Sequence, residues 1–165
     1  MQRGVVGAAH LNTLLQEALN PSEVCLRRSG YSFRVNDKVM QIRNNYDKEV
    51  FNGDIGTVSS LDLEERKLTV RFDDREVEYD ITELDELVQA YAITIHKSQG
   101  SEYPIVVMPV LMTHFVMLQR NLIYTGITRA KKLLVLVGTK KAIGYAVRNV
   151  TVTNRNTRLK ERLQA

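Results

Sequence analysis

A chain of 165 residues, 44% of them hydrophobic, has the length of one domain or one domain with a small insertion, enough to bury roughly two thirds of its unfolded surface. No apolar run approaches the roughly 18 residues of a membrane span, and no charged segment with an apolar stretch behind it precedes a cleavage site at the N-terminus. The single cysteine, Cys25, permits no internal disulfide, so membrane, secreted and disulfide-scaffold classes are set aside and a reducing, cytoplasmic setting is expected.

The formal net charge of +4 conceals a division. Residues 46–89 hold 5 of the 23 Lys/Arg and 14 of the 19 Asp/Glu, a net of −9, which leaves a net of +13 on the remainder. The basic remainder is the candidate for phosphate partners, through electrostatics that do not depend on sequence. Solvated faces would give the same total, but the segregation favours nucleic acid.

In chain order, Ala8, Leu11, Leu14, Leu15, Ala18 and Leu19 recur at three- and four-residue spacing until Pro21, which predicts an amphipathic helix of about three turns. A chain opening Met-Gln-Arg-Gly, with no strand before this helix, is expected to be cut from a larger protein. Residues 31–88 read as β structure. Lys38 to Arg43 alternates, Asn52-Gly53-Asp54 and Asp73-Asp74-Arg75 are turns, and 55–58, 67–72 and 76–79 are strand-like. Short strands with close turns predict a small SH3-like barrel. Its boundaries fall near Asn45 and Gln89, and its first strand starts near 31–38. Its acidity argues against an independent grip on phosphates, although Lys48, Arg66, Lys67, Arg71 and Arg75 could line one face. Beyond it, 105–108 and 133–137 are continuous aliphatic runs of the type buried on both faces of a parallel sheet. Residues 115–121 and 140–148 read as short helices, and 155–163 as a basic tail.

Two polar motifs stand before those aliphatic runs, where open α/β sheets place their ligands. One is Thr94-Ile95-His96-Lys97-Ser98-Gln99-Gly100-Ser101-Glu102; the other is Tyr124-Thr125-Gly126-Ile127-Thr128-Arg129-Ala130. Thr94, His96, Lys97 and Ser98 form a dense donor set suited to a nucleic-acid backbone, since hydroxyls and lysine contact phosphates without reading bases. His10 and His114 are read as structural. Phosphate-cradling G-x-x-x-x-G-K-[ST] is missing: Thr139-Lys140-Lys141 lacks the glycines and Lys97-Ser98 follows no glycine loop. With no paired acidic motif on a strand end either, the chain alone is expected not to hydrolyse ATP. One cysteine and three scattered histidines offer no metal-ligand spacing, so no metal site is expected. Cys25 and the serines lack neighbouring bases for nucleophilic catalysis.

The two motifs resemble motifs V and VI of superfamily 1 DNA helicases, in that order. Gln2-Arg3-Gly4 through Leu11-Asn12 and Leu15-Gln16 is similar to the motif IV region of the RecD/TraA family, which includes the RecD-like helicases and the exodeoxyribonuclease V alpha subunit. Arg148-Asn149 and Arg158-Leu159 resemble that family's C-terminal tail. The resemblance implies an α/β fold: a second RecA-like, P-loop-NTPase-type motor domain at 1–45 and 90–165, carrying an SH3-like β-barrel inserted at 46–89. It implies the C-terminal motor half of an ATP-dependent 5′–3′ DNA helicase. Arg129 would be the arginine finger on ATP, and Arg3 a second cation for its phosphate. Glu102 would accept from the ribose, and Gly100 would permit close backbone approach. Thr94, His96, Lys97 and Ser98 would hold single-stranded DNA, and Gln99 would couple the two sides. The implied partners are ATP with Mg2+, bound mainly by an upstream RecA-like domain with Walker A and B, single-stranded DNA, and other recombination or repair subunits. On the residues alone, Arg129 also reads as a structural arginine at a helix C-terminus, Arg3 as a surface arginine and Glu102 as a loop acid. Two rival functions stay open: a stand-alone nucleic-acid-binding module, and an adaptor whose acidic barrel binds a partner protein.

Overall fold

The computed structural model describes residues 6–150. The chain divides into two compact units, one ending at Gly100 and the other beginning at Ser101, inside the first motif.

The first unit opens with helix α1, Ala8–Leu19. The apolar stripe predicted this helix, yet it is not what the helix buries. Asn12 and Gln16 are buried, whereas Leu14 and Leu19 are exposed. The amides win because they find partners: Asn12 and Gln16 close hydrogen bonds onto Ala92, Ser32 and Asp37, whereas no described element covers the leucines. Strand β1, Leu26–Arg28, and strand β2, Tyr31–Phe33, form an antiparallel hairpin, so β structure begins earlier than residue 31.

Five further strands make one antiparallel sheet: β3 Lys38–Gln41, β4 Ile55–Asp62, β5 Lys67–Phe72, β6 Arg75–Asp80 and β7 Leu87–Gln89. Their order is β6-β5-β4-β3-β7, so β6 and β7 are edges, and ladder bonds do not close a barrel among the described residues. A 3-10 helix, Ile81–Glu86, carries the chain between those edges. It starts at a capping box, with the Asp80 side chain accepting from Thr82 N–H and Glu83 accepting from Asp80 N–H. Alternation along β5 turns Leu68, Val70 and Phe72 inward to meet Val39, Val58, Tyr79 and Leu84. Each such side chain contributes about 1.5–3 kcal/mol relative to exposure. Tyr79 is fully buried and its hydroxyl donates to Gln41 Oε1 at 3.0 Å. Burial, with the carboxylates of Glu86 and Glu83 nearby, pushes its phenol well above the ordinary tyrosine range.

The second unit pairs strand β8, Tyr103–Val110, with strand β9, Ala130–Gly138, in parallel register from Tyr103↔Ala130 to Val110↔Gly138. Both aliphatic runs are therefore strands, and neighbours. They are not buried on both faces, however: Ile105, Val107, Leu133 and Val135 are exposed, because no described element lies over them. Between the strands runs helix α2, Arg120–Ile127, preceded by a 3-10 segment, Met112–Met117, so the helix lies further along than 115–121 and takes in half of the second motif. Helix α3, Lys140–Arg148, is capped by Thr139, whose hydroxyl accepts from Ala142 N–H at 3.2 Å. At the end of β9, Gly138 lies against β8: a Cβ there would stand 2.0 Å from the Val110 carbonyl oxygen, so only glycine permits this last ladder pair.

Candidate nucleotide and nucleic-acid site

The approach to the first motif is held by side chains of α1 and of the loop before β3. Asn12 grips Ala92 in both directions, donating to its carbonyl at 2.9 Å and accepting from its N–H at 2.8 Å, as a neighbouring strand would. One residue earlier, the Tyr91 hydroxyl donates to Asp37 Oδ1 at 2.8 Å. Asp37 is fully buried, and its carboxylate accepts three further bonds, from Gln16 Nε2 at 2.6 Å, Asn20 Nδ2 at 2.7 Å and Arg34 N–H at 2.8 Å. Sequence reasoning missed this network. Its signal was the amide ladder Asn12, Gln16 and Asn20, spaced four residues apart on one helix face.

Partial burial and then the hydrogen bond to Asp37 raise the Tyr91 phenol from 10.0 to about 12. The neutral phenol is the form that folding favours, so its contribution is full below pH 10 and is lost as pH rises from about 10 toward about 12. Urea midpoints followed over that window should fall less steeply in Tyr91→Phe than in wild type. Parallel profiles would mean that the Tyr91–Asp37 bond adds nothing to the alkaline transition.

The motif itself forms a single 3-10 turn, Ile95–Ser98. Thr94 caps it, its hydroxyl oxygen accepting from Lys97 N–H at 3.4 Å. Ser98 faces inward: it is buried and its hydroxyl donates to the Ile95 carbonyl at 2.8 Å. His96, Lys97 and Gln99 are exposed, and among the described residues no carboxylate pairs with Lys97. Gly100 has φ +86° with open space where a Cβ would sit, so its glycine serves the left-handed turn and not a close approach within the chain.

In the second unit, Arg129 occupies the turn between α2 and β9. Its guanidinium donates from Nε to the Thr125 carbonyl at 3.2 Å, from one terminal nitrogen to the Ser101 carbonyl at 3.0 Å, and from the other to Thr128 Oγ1 at 3.2 Å. A guanidinium has five N–H donors, so one remains on each terminal nitrogen. The Thr125 bond places the cation at the carbonyl end of α2, where the helix dipole favours positive charge. No carboxylate pairs with Arg129 among the described residues. Glu102 instead meets Lys131 Nζ at 3.0 Å, both half-exposed, and the Tyr103 N–H donates to the Arg129 carbonyl at 2.8 Å. Arg3 lies outside the described residues, as does Arg158.

On the acidic segment, three of its five cations are spent on carboxylates: Lys48 on Glu83, Lys67 on Glu65 and Glu78, and Arg75 on Glu49. Among the described residues no helix is long and apolar enough to cross a membrane, and no cluster of His, Cys, Asp and Glu could hold a metal ion.

Comparison with known proteins gives these motifs their setting. A family model described as the SH3 domain of ATP-dependent RecD-like DNA helicases matches residues 11–72, and one described as the UvrD-like helicase C-terminal domain matches residues 89–137. Along all 165 residues the chain is 40% identical to the ATP-dependent RecD2 DNA helicase of Deinococcus radiodurans. The chain resembles the RecD-like helicases along its whole length. It spans 23% of that relative's length. It is likewise 34% identical over 143 residues to the RecBCD enzyme subunit RecD of Haemophilus influenzae, covering 87% of this chain and 21% of that one. Among solved structures, the Pif1 helicase from Bacteroides in complex with ADP-AlF3 and ssDNA matches with a TM-score of 0.60 at 20% identity, covering 94% of this chain and 42% of that one. The chain thus has a RecA-like α/β fold and, over residues 11–72, a sequence that matches the RecD-like SH3 domain model.

Proposed function

We propose that this chain is the C-terminal motor half of an ATP-dependent 5′–3′ DNA helicase, with residues 1–45 and 90–165 forming the second RecA-like domain and 46–89 the SH3-like insertion. The single observation that carries the reading is the identity to a RecD2 helicase along the whole chain, with both motifs in place. ATP and Mg2+ bind mainly to an upstream domain holding Walker A and B; this chain's sequence has no phosphate-cradling G-x-x-x-x-G-K-[ST] and hydrolyses nothing alone. What it offers is Arg129, whose guanidinium keeps a donor on each terminal nitrogen, a bidentate fork for the γ-phosphate delivered across the cleft between motor domains. Arg3, Gly100 and Glu102 complete the nucleotide side. Thr94, His96, Lys97 and Ser98 grip the backbone of single-stranded DNA, and Gln99 links the two.

Within that grip the exposed Lys97 and His96 touch phosphate, while Ser98, its hydroxyl spent on Ile95, holds the turn. Closure on ATP and reopening after hydrolysis would alternate the grip and move the strand. The motor works in the cytoplasm, with recombination or repair subunits as partners. A second reading is favoured by one observation: the bond of Arg129 to Thr125 suits a structural arginine at the end of α2, and the chain would then be a nucleic-acid-binding module. The polypeptide with its upstream domain restored should hydrolyse ATP when single strands are added and unwind a 5′-tailed duplex in preference to a 3′-tailed one. Strand binding without stimulated hydrolysis would leave only the module; unwinding of the 3′-tailed duplex alone would reverse the polarity.

A further inference from the structure

A recess in the first unit opens beside the phosphate-gripping motif and has no part in the assignments above. It is a cleft of about 60 Å³ between the start of α1, the β2 and β3 strands, and the segment that leads into the motif. One water needs about 10–15 Å³ measured in this way, so the cleft has room for several waters, or for one edge of a planar ring. Ala9, Tyr31, Thr94 and Lys97 are among the residues that line it, with the fully buried Met40 behind them. The amide of Asn12, also on the wall, is committed in both directions to the backbone of Ala92, and the Gln89 amide donates to the Ser32 carbonyl at 3.0 Å.

Such a recess offers contact to an apolar flat body, with little left to read a hydrogen-bonding edge. Beside it stand a hydroxyl and a cation that no carboxylate pairs with among the described residues, the pair that a phosphate takes. An apolar slot next to a phosphate grip fits one molecule of that mixed chemistry, a nucleotide unit of a single strand. We infer that the recess receives part of one base of the bound strand, against Tyr31 and Ala9, while the adjoining phosphate lies at Lys97 and Thr94. Base contact of this kind is sequence-tolerant, because every base has an apolar face.

The inference rests on the strand-gripping role proposed for Lys97, and the test separates the two. Fluorescence anisotropy of the chain is measured with a thymidine oligonucleotide and with an abasic deoxyribose-phosphate strand of equal length. Wild type should bind the thymidine strand more tightly, by on the order of ten-fold or more. Ala9 is exposed on α1, so Ala9→Leu fills the recess from a position that tolerates leucine in a helix. It should reduce the ratio between the strands toward one, with abasic binding unchanged. A wild type that binds both strands equally, or an Ala9→Leu chain that keeps the full ratio, overturns the recess while leaving the phosphate grip standing. Binding of neither strand removes the grip and the recess together.

Discussion

Replacing Arg129 by alanine in the polypeptide with its upstream motor domain should lower strand-stimulated ATP turnover by two or more orders of magnitude, with ATP affinity largely kept. The magnitude follows from the reaction. In phosphoryl transfer the charge spreads over the γ-phosphate oxygens, and an arginine supplied from outside the cradle is worth about 10³ to 10⁵ in rate. The side chain is already ordered for the task, since three acceptors hold the guanidinium and a donor remains on each terminal nitrogen. Little side-chain entropy is then left to lose when phosphate arrives. The same bonds make alanine a double change, so melting midpoints must be read beside turnover. Arg129→Lys sharpens the test: it keeps the charge but loses the planar fork, and it should also lose most of the turnover. Unchanged turnover in both variants would make Arg129 a structural residue at the carbonyl end of α2 and bring the binding-module reading forward. Loss of turnover matched by a large fall in melting midpoint would point the same way.

Much of the framework that carries these motifs could be seen in the residues because its signals are local. Each aliphatic run became a strand, β8 and β9, since four or five consecutive aliphatic residues rich in β-branching have few alternatives; Asp73-Asp74 became the two-residue turn between β5 and β6. What could not be seen depends on partners remote in sequence. The leucines of α1 fitted the helical period, yet the helix turns Asn12 and Gln16 inward, because their acceptors lie on segments 16 to 80 residues away. Ser98 belonged with Thr94 and Lys97 by composition, but the 3-10 turn rotates it away from them toward Ile95. A strand pattern likewise states that a residue can be buried, not that something covers it, and so the outer face of β8 and β9 was misread as covered.

Loss of the Asp37 carboxylate should be the most damaging single substitution in the first unit. Asp37→Ala strips the acceptor from four donors at once: the Gln16 and Asn20 amides, the Tyr91 hydroxyl and the Arg34 N–H. Asp37, Gln16 and Arg34 are buried while Asn20 and Tyr91 are part-exposed, so water replaces at most part of what is removed. Each orphaned buried donor costs about 1–3 kcal/mol, and because the four share one centre the costs do not add in full. A net loss of about 3–5 kcal/mol is expected, a large share of the roughly 5–15 kcal/mol that holds a domain of this size. Asp37→Asn distinguishes charge from shape. It keeps the volume, but one of its two oxygens becomes an amide that must face donors, so it too should destabilise, by about half as much. Urea unfolding of the two variants supplies both numbers. The change should also be felt at the motif, since Tyr91 and Ala92 are the anchored residues from which Thr94 to Gln99 project. Strand affinity of the still-folded Asp37→Asn chain should therefore fall along with its stability. If Asp37→Ala stays within about 0.5 kcal/mol of wild type, as a surface substitution would, the four bonds are not what holds this loop. If it unfolds as expected while Asp37→Asn binds strands as wild type does, the network stabilises the unit without setting the motif, and the grip must be positioned by Asn12 alone.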